Sequence, residues 1–127
     1  MAKSAADRLV AQAEKLPARD LTEKQFQAWV VRRAKERGWT RQFHVLRSQV
    51  QGVWVTNTSA PGVPDLWLLR PPQLVVLELK RWGGKATEEQ AKWIAGLQKV
   101  PGIEAFVVSP ADAEDVLDLL AWPAPSE

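Results

Sequence analysis

The 127-residue sequence has no cysteine and no tyrosine, one methionine and one histidine. Without cysteine, disulfides and thiolate metal sites are excluded, so any bound metal must sit on oxygen or imidazole. Long hydrophobic runs are also missing. The longest aliphatic stretch, Leu74 to Leu77, is far too short to cross a bilayer, and the polar start has no signal-peptide core. No membrane partner and a cytoplasmic location are therefore expected. Internal repeats and low-complexity tracts are absent as well, which leaves one domain spanning 1–127, with a helical extension over 1–20 and a frayed Pro-rich tail over 122–127.

What is present reads as an ordinary folded chain, with 46% hydrophobic and 25% charged residues. Seven tryptophans fall mostly at helical or strand spacing and read as core. The net charge is only +2, but its distribution is uneven. Arg32, Arg33, Lys35, Arg37, Arg41 and Arg47 face a single acid, Glu36, over one short stretch. Alone, such a run is a solvated helix face; beside a second nucleic-acid feature it becomes a phosphate-binding patch.

Periodicity gives the order of elements. Ala6, Leu9, Val10 and Ala13 make a modest amphipathic helix that Pro17 stops. Asp20 or Thr22 can cap the next helix, which places Phe26, Trp29, Val30 and Ala34 inward and ends at Gly38. Arg41 to Leu46 alternates as a strand. A long connection then runs from Arg47 to Pro64, with room for a short strand at Val53 to Thr56. Strands follow at Asp65 to Leu69 and Leu74 to Lys80, joined by the Pro71-Pro72 turn. Thr87 caps a helix to about Lys99, with Gln90 placed for a capping box. Ile103 to Val108 is a strand, and Ser109-Pro110 opens a last helix. The expected architecture is an α/β sandwich around a mixed sheet of about four strands, the Leu74–Lys80 strand central.

That central strand is apolar on both faces yet ends Glu78-Leu79-Lys80. Strand side chains alternate, so Glu78 and Lys80 share a face, roughly 7 Å apart at two residues of rise. By itself Glu-x-Lys reads as an ion pair on the rim of a sheet. Gly62-Val63-Pro64-Asp65 changes the balance, although alone it too could be a simple turn. In a hairpin the start of one strand lies beside the end of the next, so Asp65 and Glu78 should converge with Lys80 next to them. Two adjacent carboxylates repel unless a cation lies between them, and hard oxygen ligands suit Mg²⁺ or Mn²⁺.

Asp65 followed by Glu78-Leu79-Lys80 resembles the signature of the PD-(D/E)xK nuclease superfamily. The ordered set Gly62-x-Pro64-Asp65-Leu66, Glu78-Leu79-Lys80, Gly84-Lys85 and Thr87-x-x-Gln90-x-x-Trp93 resembles, more narrowly, the VRR-NUC family, over roughly Thr22 to Val108. The resemblance implies a restriction-endonuclease-like core. It makes Asp65, Glu78 and the Leu79 backbone carbonyl metal ligands, and Lys80 the residue that orients or deprotonates the attacking water. It also offers Glu23 as a further acidic ligand and Gln90 as a catalytic-site glutamine; the alternatives are a first-turn acid at the helix dipole and a capping box. Implied products carry a 5′-phosphate and a 3′-hydroxyl. The implied function is a metal-dependent endonuclease on branched DNA such as Holliday junctions, in repair or recombination.

Around this centre, Arg32, Arg33, Lys35, Arg41, Arg47 and Lys85 are candidate DNA contacts. His44 is expected to be structural or to touch a phosphate, and Trp54 or Trp82 could stack on an unpaired base. Symmetric cutting of two strands needs two sites, so a homodimer is expected, through the N-terminal helix or the 50–60 loop. Two other readings stay open: a flap or nicking enzyme with loose duplex specificity, and a non-catalytic nucleic-acid-binding domain.

Overall fold

The structure, a computed structural model, describes residues 16–45, 47–50, 53–56 and 60–121, with 47–50 and 53–56 described by their backbone. The expected N-terminal helix over 4–15, the tail, and the side chains of Arg47 and Trp54 lie outside the described residues. In order come α1 (Glu23–Glu36), β1 (Arg41–His44), β2 (Arg47–Val50), β3 (Val53–Thr56), β4 (Leu66–Arg70), β5 (Gln73–Leu79), α2 (Glu88–Leu97), β6 (Ile103–Val108), a 3₁₀ turn (Pro110–Asp112) and α3 (Ala113–Leu120).

Each helix starts where a side chain satisfies the first orphan N–H groups. Thr22 caps α1: the Gln25 N–H donates to its Oγ1, and its own N–H donates to Gln25 Oε1. Thr87 and Gln90 form the same box on α2. Ser109 caps the 3₁₀ turn rather than α3 itself, its Oγ accepting from the Ala111 N–H and its N–H donating to Asp112 Oδ2. The last helix therefore begins three residues later than the sequence suggests.

Four strands form one mixed sheet in the order β1-β4-β5-β6. β1 and β5 both run antiparallel to β4, while β6 is parallel to β5. The parallel pair requires a crossover, which α2 supplies. β2 and β3 pair with each other in a separate two-stranded sheet, so much of the expected long connection is a hairpin. Arg47-Ser48-Gln49-Val50 carries no apolar alternation, and only its pairing with β3 makes it a strand.

Side-chain parity divides the core into two layers. Leu66, Leu68, Val75, Leu77 and Leu79 face α1 and α3, packing with Phe26, Val30, Ala34, Val116 and Leu120. Val76 and Ala105 face α2, packing with Ile94, Trp67 and Leu74. The stripe expected on α1 is present, with Trp29 only partly buried and stacked on Phe26. Trp39 locks the first layer: its indole N–H donates to the Leu120 carbonyl at 2.8 Å, satisfying an acceptor that the end of α3 leaves over. Above the ring, the Arg70 guanidinium lies 4.3 Å from the centroid, and it also donates to the Arg37 carbonyl and to Gln73 Oε1. The end of the β4–β5 hairpin is thus pinned to the end of α1.

Replacing Trp39 with Phe keeps most of the ring and strands the buried Leu120 carbonyl. Urea unfolding is expected to show a loss of about 1–3 kcal/mol.

Candidate active site

The site follows from the register of β4 on β5. Leu66 pairs with Leu77, and one step further along places Asp65 opposite Glu78. That step is still part of the sheet, because the Val45 N–H donates to the Asp65 carbonyl at 2.9 Å and so continues the β1–β4 ladder. Asp65 shares parity with Trp67, and Glu78 with Val76, so both carboxylates lie on the α2 face. The Leu79 N–H donates to Asp65 Oδ2 at 3.0 Å, which fixes the carboxylate against the neighbouring strand.

Glu78 is 1% exposed, Asp65 6% and Lys80 9%. A rim ion pair would be solvated, and this one is not. Lys80 Nζ lies 3.6 Å from Glu78 Oε2, close enough for a strong field and too long for a hydrogen bond. Burying three ionisable groups in one corner carries a desolvation cost that packing alone does not require. The Lys80 N–H continues the sheet by donating to the Val108 carbonyl at 2.8 Å, so the lysine stem is as well fixed as the strand.

The loop that delivers Asp65 is held from beneath by α2. Gly62 has φ of 77°, and a Cβ there would come within 2.7 Å of the Glu89 backbone. Only glycine allows this approach. Trp93 on α2 donates its indole N–H to the Pro61 carbonyl at 3.0 Å, and Trp67 donates to the Pro64 carbonyl at 3.1 Å. These two tryptophans, expected only as core, act as hydrogen-bonding supports for the Asp65 loop. The signal was available: Pro61 and Pro64 sit in an irregular loop rich in carbonyl acceptors, and a half-buried indole needs an acceptor. Gln90 is buried on the first turn of α2, in the same layer as Asp65, Glu78 and Lys80, and closes the capping box with Thr87.

The other candidates are distributed differently. Glu23 is half-buried in the first turn of α1, the helix on the opposite face of the sheet. One turn further along α1, Gln27 reaches His44, which pairs with Leu66 next to Asp65, so the start of this helix lies toward the same end of the sheet as the carboxylates. His44 also faces the α1 layer, since it pairs with Leu66. Its Nδ1 is 3.3 Å from Gln27 Nε2 and its Nε2 3.3 Å from Gln42 Oε1, an arrangement that the Nε2–H tautomer satisfies at both ends. Those contacts give it a structural role. Arg33 corrects the expected basic patch: it is buried on the inward stripe, seven residues after Phe26 and three after Val30, with Nη2 3.3 Å from Glu36. Arg32, Lys35, Arg41 and Lys85 are exposed. Arg41 pairs with Leu69, four residues beyond Asp65, which puts it about 13 Å along the strand from the carboxylates.

Gly62→Ala is expected to cost about 1–3 kcal/mol in denaturant unfolding and to displace Asp65. Gly83→Ala serves as the control, because φ there is 79° but nothing lies within 4 Å of an added Cβ. Equal losses for the two variants would show that the contact with α2 contributes nothing. No family model, curated protein or solved structure matches this chain.

Proposed function

We propose that this protein is a divalent-metal-dependent DNA endonuclease with a restriction-endonuclease-like core, of the VRR-NUC kind, acting on branched DNA such as Holliday junctions. The observation that supports it best is the convergence of Asp65, Glu78 and Lys80, all buried, on one face of the sheet at the end of β4–β5. A purely structural ion pair needs one carboxylate and no second strand delivering another.

The donor set fits Mg²⁺ or Mn²⁺. It offers two carboxylates, with the Leu79 carbonyl as the third protein ligand, and all are hard oxygens. Such ions bind through one or two carboxylates and keep several waters, so two acids suffice. When bound, the ion supplies Lewis-acid polarisation of the phosphate and activates water. The chain's own residues do the positioning. Asp65, anchored by the Leu79 N–H, presents its carboxylate in one orientation. Lys80 carries positive charge next to Glu78, where it can orient the attacking water and balance charge developing on the phosphate. Gln90 and the α2 N-terminus hold the layer in which these groups meet.

Asp65→Ala, Glu78→Gln and Lys80→Ala should each abolish cleavage of a labelled four-way junction in Mg²⁺. Losses should exceed the ~100-fold typical of groups that merely support a metal ligand. Junction binding without metal-dependent cutting by the wild type would leave a non-catalytic binding domain. Junction, flap, splayed-arm and duplex substrates run side by side separate a resolvase from a flap or nicking enzyme, since equal rates on all remove the junction preference. A junction resolvase on this scaffold works as a homodimer, which sedimentation of the protein with and without junction reads directly.

Arg32 and Lys35, exposed on α1, are the phosphate contacts in this reading. Replacing both with Gln should reduce the slope of log K against log salt by about 2, that is by nearly one per lost phosphate contact. An unchanged slope would return them to the solvated helix face.

A further inference from the structure

Directly after Lys80 the chain reads Arg81-Trp82-Gly83-Gly84-Lys85, an aromatic residue between cations in a glycine turn. The Gly84 N–H donates to the Arg81 carbonyl at 2.8 Å, and Gly83 has φ of 79°. This is a four-residue turn with a positive-φ glycine in its third position and Trp82 in its second, at the apex. A Cβ on Gly84 would lie 3.3 Å from Lys80 Cβ, so the turn is seated against the lysine stem. Trp82 is 43% exposed, an uneconomical place for an indole whose role is packing. The guanidinium of Arg19, from the segment before α1, lies 4.5 Å from the ring centroid. A planar cation already occupies the position that a planar base would take.

We propose that Trp82, with Arg19, is a stacking platform for an unpaired nucleobase beside the scissile phosphate, and that among branched substrates it biases the enzyme toward those with unpaired nucleotides at the branch. The placement rests on the nuclease reading above; the platform itself does not. Trp82 Cα can be no farther than about 7 Å from that of Lys80, so a base stacked there belongs to a nucleotide close to the reacting phosphate. Arg81 and Lys85 are exposed on either side and can track the backbone of the strand. Base stacking on an aromatic face is tolerant of sequence, so the platform recognises unpaired structure rather than a base identity. A stacked base is held more strongly than an exposed cation–π partner, so it can displace Arg19 from the ring or sandwich the ring from its other side.

The test measures binding of a fluorescein-labelled oligothymidylate and of a blunt duplex of equal length, both in EDTA so that nothing is cut. Trp82→Ala should weaken oligothymidylate binding about 5- to 150-fold, the range expected for losing one stacked base, and leave duplex binding unchanged. Trp82→Phe, which keeps a π-face and controls for folding, should retain most of the affinity. Equal losses on both probes, no loss on oligothymidylate, or no oligothymidylate binding by the wild type would each overturn the platform. A parallel cleavage assay in Mg²⁺ separates the two claims. Stacking-dependent binding with no cutting would overturn the nuclease and leave the platform. Cutting of overhang substrates at the same rate by wild type and Trp82→Ala would do the reverse.

Discussion

The structure turns on the hydrogen bond from the Leu79 N–H to Asp65 Oδ2. It joins the start of β4 to the end of β5 at the point where the ladder would otherwise fray, and it does so with a buried carboxylate. A carboxylate can be buried only where hydrogen bonds or charge replace its hydration. Asp65 therefore has to arrive in register, and the register of the whole hairpin is tied to it. A shift of β4 by one residue against β5 would also turn Leu66 and Leu68 away from the face that Val75 and Leu77 present to the core, so hydrophobic packing and site assembly demand the same alignment.

The two layers around the sheet carry different duties. On one side, α1 and α3 close over a continuous apolar core, with the Trp39–Leu120 bond and the Arg70 cluster tying its ends together. Buried there as well is Arg33, paired with Glu36, which makes it part of the scaffold. On the other side, α2 covers a smaller apolar patch and meets the polar corner. Its first turn supports the Asp65 loop through the Gly62 contact and the Trp93–Pro61 bond. Among the described residues no helix is long and apolar enough to cross a membrane.

Most of the fold was legible along the chain because its signals are local. Thr22 and Thr87 each precede a glutamine three residues later, and both capping boxes form. The doubly apolar run from Leu74 to Leu77 lies between two neighbours, as its composition demands. What escaped was non-local. The β2 strand has no apolar alternation and exists through pairing with β3. Trp67 and Trp93 looked like core because periodicity reports burial and says nothing about where an indole N–H points.

The same division holds for the site. By itself the sequence determined that Glu78 and Lys80 share a strand face and that a hairpin brings Asp65 near them, because alternation and turn length are properties of adjacent residues. Only the tertiary structure decided which face that is. Glu78 and Lys80 share the face of Val76, on the α2 side, whereas His44 touches Gln27 of α1. Helical spacing placed Glu23 on the inward arc of its own helix, but it cannot say which side of the sheet that helix covers. That choice depends on how helices with two different apolar stripes pack on a sheet that is apolar on both sides.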